Sequence, residues 1–381
     1  MSWQEQTVMS QRLEFVELAS QPGANVRELC RRFQISPPTA YKWLQRYACE
    51  GAPGLRDRSR RPHHTPRQTP AAIEARVLAA RDRHPTWGGR KLRAWLHQHG
   101  DAASIPSAST ITAILQRHGR IRPVDVDARP AHQRFVHAAP NDLWQIDFMG
   151  HLALGSGRVH PLSVLDDHSR FVVGVFACAN EQRLTVQHYL RRVFARYGLP
   201  WRILTDNGPP WGDTGSHSYS KLEVWWLDLG IEVWHGRPRH PQTQGKVERL
   251  HRTLAADILQ PARYPDLEQC QAALDCWRDE YNLERPHEAL HLTVPARHYH
   301  PSPRPFSDLI EPAEYRPDDE VRMVMRRGLI SYRARRYRIG KAFEGYRVAL
   351  RPTEEDGRIA VYFRHHQIRT IDLRARLSED D

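Results

Sequence analysis

Three acidic residues lie in local sequences that suit a metal-dependent phosphoryl-transfer site. They are Asp147 in WQIDFMG, Asp206 in ILTDNG and Glu248 in HPQTQGKVERLHRTL. Cleaving a phosphodiester requires activation of a water or a 3′-hydroxyl and stabilisation of the leaving oxygen, which two Mg²⁺ ions roughly 3.5–4 Å apart can supply. Mg²⁺ prefers carboxylate oxygens, and carboxylates that share a pocket repel each other unless a cation is present. The three acids together predict a site for two Mg²⁺ ions, with Mn²⁺ as the expected substitute.

Each acid also has a simpler interpretation. Glu248 could pair with Arg252 one turn along a helix, Asp206 could belong to an ordinary Asp-Asn-Gly turn, and Asp147 could cap a strand edge. Any one of these alternatives is the default for its residue alone. The combination of all three acids favours catalysis.

The elements around these acids follow a recognisable order. Trp144, Ile146 and Phe148 alternate with Gln145 and Asp147, which predicts a strand. Further strands are predicted at about 160–166, 170–177, 201–205 and 231–234, and helices at 184–197, around 222–229 and from about 245 and 266. This order predicts an α/β ribonuclease-H-like core. In such a core the three acids can meet at one edge of the sheet.

The charge distribution separates this acidic region from a basic one. The net charge is +12, and residues 1–140 carry 22 Lys or Arg against 11 Asp or Glu. Only five of the 56 basic residues are Lys. Arg makes bidentate contacts with phosphate and guanine, although a GC-rich genome would also favour Arg. The N-terminal third is therefore predicted to bind DNA.

Residues 1–50 are predicted to form a helix-turn-helix domain. Val26, Leu29, Cys30 and Phe33 have the spacing of a buried helix face, and Ser36 precedes the next helix as its expected N-cap. An ordinary helical hairpin is the alternative. The outer face of the second helix would offer these side chains to DNA: Thr39, Lys42, Gln45 and Arg46.

Two more basic segments follow. Residues 51–70 are rich in Pro and Arg and predict either an extended DNA-tracking linker or a merely solvated one. Residues 71–124 predict a second helix-turn-helix-like domain, with Ser109 as the N-cap of its last helix. The candidate DNA contacts of these segments are Arg56, Arg58, Arg60, Arg61, Arg90 and Lys91.

The rest of the chain completes a six-part organisation. Residues 125–140 are predicted to be a linker, 141–300 the catalytic core, and 318–378 a small C-terminal β-barrel. The five cysteines form no CxxC pair, which argues against a disulfide framework or a Cys-based zinc site. The sequence contains no GxxxxGK[ST] motif, so it gives no indication that the protein uses ATP. Without a signal core or membrane span, a cytoplasmic, nucleoid-associated protein is expected.

Several motifs resemble those of the integrase-like DDE transposases of bacterial insertion sequences, which are relatives of retroviral integrases. The motifs are WQIDF, VLDDHSRF, ILTDNG, HPQTQGKVERLHRTL and YNLERPHEAL, and they span most of 140–300. The resemblance implies that Asp147, Asp206 and Glu248 are the metal-binding triad of a polynucleotidyl transferase. It also implies that Gln244 contacts DNA in the active site and that the protein is at least a homodimer on DNA.

The chain departs from the family pattern in two ways. Glu248 lies 42 positions after Asp206, a longer spacing than in most members, and the insert at 209–221 accounts for it. The chain also lacks the N-terminal His/Cys zinc module of retroviral integrases.

Other polar residues surround the predicted site. Lys246, Arg249 and Arg252 lie off the apolar stripe of the Glu248 helix and are candidate contacts for DNA phosphates. His240 and His251 flank Glu248 and are predicted to be auxiliary DNA contacts, with metal ligation as the alternative. Asp166 and Asp167 are predicted to form a turn, with a role in the site as the alternative.

The predicted function is a DNA transposase that binds the ends of an insertion element, frees a 3′-OH and joins it to target DNA. A DNA-binding repressor with an inactive core is one alternative. A ribonuclease-H-like nuclease acting on structured nucleic acid is the other.

Overall fold

The structure is a computed structural model, and its chain divides into two compact units, Met1–Gln68 and Thr69–Asp381. The residues it describes are 7–58, 69–100, 105–121, 136–212, 219–236, 245–260 and 262–374. No helix among them is long and apolar enough to span a membrane.

The first unit is a three-helix domain. Its helices are α1 (Val8–Ala19), α2 (Val26–Arg32) and α3 (Pro37–Glu50). The Ser36 hydroxyl accepts a hydrogen bond from the backbone N–H of Thr39, as predicted, and so begins α3. The side chains that fill its core are Phe15, Val16, Cys30, Ala40, Trp43 and Leu55.

A second three-helix module opens the other unit. Its helices are α4 (Ala71–Arg83), α5 (Gly89–His99) and α6 (Ala108–Arg117). The prediction that Ser109 caps the last helix is wrong, because the Ser107 hydroxyl accepts from the N–H of Thr110 and the helix begins at Ala108. Gly89 lets α5 approach α6 closely, since a Cβ there would lie 2.4 Å from the Ala108 carbonyl oxygen.

A six-stranded mixed sheet forms the centre of the second unit. Its strands are β1 (Leu143–Phe148), β2 (Leu152–Leu154), β3 (Gly157–Asp166), β4 (Val172–Cys178), β5 (Arg202–Thr205) and β6 (Glu232–His235). The hydrogen-bonded order is β2-β3-β1-β5-β6, with β4 also paired to β3. β1, β3 and β4 are antiparallel, whereas β5 lies parallel to β1 and to β6. The predicted ribonuclease-H-like order is confirmed.

Helices cover both faces of this sheet. They are α7 (Arg183–Tyr197), α8 (Lys221–Asp228), α9 (Gly245–Leu254), which continues as a π-helical turn over Ala255–Leu259, and α10 (Leu267–Leu283). Trp144 and Ile146 pack with α7 and α8 on one face. Side chains of α9 and α10 pack against β3 and β4 on the other. Because β1 side chains alternate, Gln145 and Asp147 face the α9 side.

The C-terminal region contains a four-stranded antiparallel sheet and a separate hairpin. Its strands are β7 (Glu320–Met323), β8 (Leu329–Tyr332), β9 (Arg335–Arg338), β10 (Arg347–Pro352), β11 (Arg358–Phe363) and β12 (His366–Asp372). The sheet order is β12-β11-β10-β7, and β8 pairs with β9. Within the described strands the two sheets do not close into a ring, so the barrel stays a prediction.

Candidate active site

The sheet brings Asp147 and Asp206 to the same edge. β1 and β5 run parallel with Gln145 opposite Leu204. Continuing that register by two residues places Asp147 opposite Asp206, the residue after the end of β5. Neighbouring strands lie about 4.8 Å apart, so the two carboxylates start from adjacent backbone positions.

Helix α9 places Glu248 above this edge. The side-chain oxygen of Gln145 accepts a hydrogen bond from the backbone N–H of Val247, at 3.3 Å. Gln145 and Asp147 point to the same face of β1 because they are two residues apart. The first turn of α9, which carries Glu248, is therefore tied to the face of the sheet that carries Asp147.

Asp167 anchors this arrangement from the β3–β4 hairpin. Its Oδ1 accepts from Gln145 Nε2 at 2.8 Å and from Lys246 Nζ at 2.5 Å, while its Oδ2 accepts from the His137 backbone N–H at 3.0 Å. Asp166 beside it accepts from the Asn141 N–H at 2.7 Å. Asp167 lies in the turn, as predicted, whereas Asp166 is the last residue of β3 and its side chain accepts a hydrogen bond from the Ser169 N–H across that turn. Both are also buried hydrogen-bond acceptors that fix the segments around the site.

The Asp147 carboxyl lies in a desolvated and negatively charged environment. Burial is the largest cause, and repulsion from Asp206, Glu248 and Glu181 adds to it, so the pKa of Asp147 rises to about 7. Burial, with a contribution from Glu181, also raises the pKa of Asp206. The structure thus brings Asp206 and Glu248 within electrostatic range of Asp147. A bound cation stabilises the ionised form of carboxylates in such an environment.

Neutralising Asp147 should stabilise the metal-free protein above neutral pH. Its folded pKa lies above its ordinary value of 3.8, so the folded state holds a proton that the unfolded state has released. Stability should therefore fall as pH rises from about 4 to about 7 and stay level above that. Asp147→Asn should remove this dependence and be more stable than the parent by about 2–4 kcal/mol near pH 8, since one pKa unit is about 1.4 kcal/mol. Urea unfolding in EDTA at several pH values measures it. An unchanged pH slope in the variant would contradict it.

His251, a residue of α9, lies beside Asp147 of β1. Its Nδ1 is 3.9 Å from Asp147 Oδ2, and burial lowers the pKa of the imidazole to about 4. The ring is therefore neutral at physiological pH. Its burial places it under the site, not at the surface where the predicted auxiliary DNA contact would be made. His240 lies outside the described residues.

A pair that was not predicted from the sequence, the partly exposed His235 and the buried Glu223, supports Asp206. The His235 Nδ1–H donates to the Asp206 carbonyl at 3.0 Å, and its Nε2–H donates to Glu223 at 2.7 Å. This bond to Glu223 is the largest cause that raises the pKa of His235. Glu223 also forms a capping box with Ser220 at the start of α8. The SxxE spacing predicts such a box, but nothing local to it indicates a link with Asp206.

The donor set of the site fits Mg²⁺. All three predicted ligands are carboxylates, which this ion prefers. No group of three or more His, Cys, Asp or Glu side chains in the described ranges is already arranged as metal ligands. Glu248 and Arg252, both described, form no ion pair, so the simpler interpretation of Glu248 gains no support.

The predicted DNA contacts of the first unit lie on or near α3. Lys42 and Gln45 are exposed, and Thr39 and Arg46 are partly buried. The charged groups of Lys42 and Arg46 lie 4.6 and 5.1 Å from the centroid of the Trp43 ring. This packing holds two cations near the helix surface.

The remaining predicted DNA contacts differ in environment. Arg56 is exposed and Arg58 pairs with Glu50. Arg90 lies 3.9 Å from Glu288 of the core. Burial and then Arg285 lower the pKa of Lys91 to about 8. The residues that fall outside the described ranges are Arg60, Arg61 and Gln244.

On α9 the three predicted cations separate into two groups. Lys246 is mostly buried and bonded to Asp167. Arg249 and Arg252 are exposed. Only the last two therefore lie open to DNA next to Glu248.

Family models match nearly every part of the chain. A helix-turn-helix domain matches residues 11–63 and a homeodomain-like domain 39–115. Integrase core domains match 137–241 and 229–295. The C-terminal domain of the IS481 family transposases matches 319–379.

Individual proteins are also similar to this chain. A 39.2 kDa protein of insertion element IS476 from Xanthomonas euvesicatoria is 26% identical over 71% of this chain and 75% of its own. A 31.7 kDa protein of insertion element IS407 from Burkholderia multivorans is 24% identical over 59% of this chain and 79% of its own. A chain of the simian T-cell lymphotropic virus intasome is 18% identical with a TM-score of 0.38, over 78% of this chain and 96% of that one.

Proposed function

Because the chain belongs to the integrase-core transposases of bacterial insertion sequences, we propose that Asp147, Asp206 and Glu248 form the metal-binding triad of a polynucleotidyl transferase. It cuts DNA at the ends of an insertion element and joins them to target DNA. The observation that carries this proposal is geometric: the parallel register of β1 and β5 leads to Asp147 and Asp206 at one edge of the sheet, and the hydrogen bond from Val247 to Gln145 ties the first turn of the Glu248 helix to the same face. A shared site for cations would account for three carboxylates placed around one edge of the sheet.

Two Mg²⁺ ions, which Mn²⁺ can replace, would be held by these carboxylates and would supply activation of the attacking oxygen and stabilisation of the leaving oxygen. The neighbouring side chains keep the carboxylates in place. The buried, neutral His251 lies against Asp147, with its Nδ1 3.9 Å from the Asp147 Oδ2. His235 fixes the backbone of Asp206.

Binding of DNA phosphates beside the triad is assigned to Arg249 and Arg252. Both are exposed on α9, immediately after Glu248 and one turn beyond it. Gln244, which precedes α9, is proposed as a further DNA contact. Arg forms bidentate bonds with phosphate oxygens, so these residues can position the strand to be cut.

Recognition of the element ends is assigned to the two N-terminal helical regions. The outer face of α3 offers Lys42 and Gln45 to base edges or phosphates. Two element ends have to be joined to one target, so at least a homodimer on DNA is proposed. Its site of action would be the nucleoid in the cytoplasm.

Removing the metal should abolish DNA cleavage and strand transfer but leave binding of the element ends intact. With labelled element ends, binding in a gel-shift assay should survive EDTA, whereas cleavage and strand transfer should require Mg²⁺ or Mn²⁺. Both reactions should fall below detection in EDTA, because the carboxylates alone cannot activate the attacking oxygen.

The two alternatives give different results in the same assay. End binding without cleavage in either metal would identify a DNA-binding repressor. Cleavage of hybrids or junctions without strand transfer would identify a nuclease.

A further inference from the structure

The second helical module and the catalytic core meet without sharing a hydrophobic core. The module packs around its own cluster, which includes Val77, Trp87 and Leu115. The core helices α9 and α10 belong to a different cluster. Between the two lies a polar contact, here called the seam, formed by Arg83, His84, Thr86 and Trp95 of the module and Asp257, Glu280 and Glu284 of the core.

Asp257 is the centre of the seam. Its Oδ1 accepts from the Thr86 hydroxyl at 2.5 Å, and its Oδ2 accepts from Trp277 Nε1 at 2.9 Å and Arg285 at 3.0 Å. Asp257 lies in the π-helical turn that continues α9. It is nine residues beyond Glu248, or about 14 Å along a helix. The module is therefore attached to the helix that carries a catalytic acid.

The second half of the seam lies on α10 and just beyond it. The buried His84 ring donates from Nδ1 to Glu280 at 2.7 Å and stacks on Trp87 with ring centroids 3.8 Å apart. Trp95 Nε1 and Arg83 both donate to Glu284, at 3.4 and 3.1 Å. These bonds have fixed directions, so they specify an orientation more than they add affinity.

The docked module leaves its last helix free. The seam uses the end of α4, the turn after it and α5. Helix α6 is the second helix of the α5–α6 pair, the position that enters the major groove in helix-turn-helix proteins. Its exposed side chains are Ser109, Ala113, Gln116 and Arg117.

We propose that the seam sets the position of DNA cleavage. It holds α6 at a fixed distance and orientation from the Asp147 edge of the sheet, so the sequence bound by α6 selects the phosphodiester that reaches the catalytic acids. This rests on the proposed function and adds a positioning role for Thr86, His84 and Asp257. A flexible tether would permit binding of the ends but would leave the cut position undefined.

A reversible covalent link can test the seam. Thr86→Cys with Asp257→Cys, made in a Cys49→Ser, Cys276→Ser background, breaks the central bonds when reduced and replaces them by a disulfide when oxidised. We expect the reduced protein to bind element ends but to lose about tenfold or more of cleavage at the parental position, since small displacements of substrate have effects of that size. Oxidation should restore that position. Sequencing gels of the cleaved strand measure it.

A set of conservative substitutions in the seam distinguishes loss of the seam contacts from misfolding of the protein. Thr86→Val with Glu280→Gln and Glu284→Gln should spread the cut positions without loss of thermal stability in the core, whereas Glu268→Gln, an exposed acid on the same α10, should cut as the parent does. Unchanged cut positions in the reduced and conservative variants would overturn the proposal. So would loss of cleavage on oxidation, which would make the seam an inhibitory contact. A parent protein that cuts nowhere in Mg²⁺ would instead contradict the proposed function.

Discussion

Asp147→Asn, Asp206→Asn and Glu248→Gln should each lower Mg²⁺-dependent cleavage and strand transfer by about a thousandfold or more, as expected when a group that stabilises transition-state charge is lost. Each substitution keeps the size of the side chain and removes one negative charge. Each carboxylate is proposed to hold metal, and the loss of any one removes a ligand that the other two do not supply. Single-turnover assays on element ends measure the rates.

Binding of the element ends should survive all three substitutions, because recognition is assigned to the N-terminal helical regions. Asp318→Asn is the matched control, since Asp318 is exposed in the segment before β7. It should retain parental rates. Strand transfer at the parental rate in any one of the three variants would remove that residue from the triad.

Lys246→Met should destabilise the protein by about 3–5 kcal/mol, the usual cost of removing one partner of a buried ion pair. The Asp167 carboxylate is only 1% exposed and Lys246 Nζ lies 2.5 Å from it. Without that ammonium group the carboxylate keeps its hydrogen bonds from Gln145 and His137 but loses the ion pair with Lys246. Urea unfolding at neutral pH measures the loss.

A second substitution separates this role from DNA binding. Adding Asp167→Asn to Lys246→Met removes the unpaired charge and should recover most of the stability. Arg249→Met, on the exposed side of the same helix, should change stability by less than about 0.5 kcal/mol while weakening DNA binding. If Lys246→Met were as stable as the parent and bound DNA more weakly, the phosphate contact predicted from the sequence would be correct and the structural role wrong.

Local sequence patterns were sufficient to predict the features that depend on interactions between residues close in sequence. Ser36 precedes a helix and supplies the expected cap, and the alternation around Asp147 predicts a strand that the structure contains. Ser109 shows the limit of this reasoning. Ser107 is an equally good cap two residues earlier, and in the structure α6 begins after it, with the Ala108 carbonyl close to Gly89 of α5.

Polar contacts between distant segments could not be predicted in the same way. Lys246 and Asp167 are 79 residues apart, and Thr86 and Asp257 are 171 apart. Periodicity indicates which face of a helix is buried, but it does not indicate which polar partner lies against that face. Lys246 therefore resembled an exposed cation, and Arg90 and Lys91 resembled DNA contacts with no relation to the core.

By itself, the sequence determined the identity and order of the three acids, the fold class of the core and the basic character of the N-terminal third. These follow from residue type, spacing and periodicity, which local chain geometry converts directly into strands, helices and charge. Only the tertiary structure decided how the site is supported: Gln145 and Asp167 hold α9, His235 holds Asp206, and Asp257 joins the second helical module to the core. These contacts join segments that are distant in sequence and come together only when the hydrophobic cores pack. Short-range sequence patterns do not indicate which distant segments will be in contact.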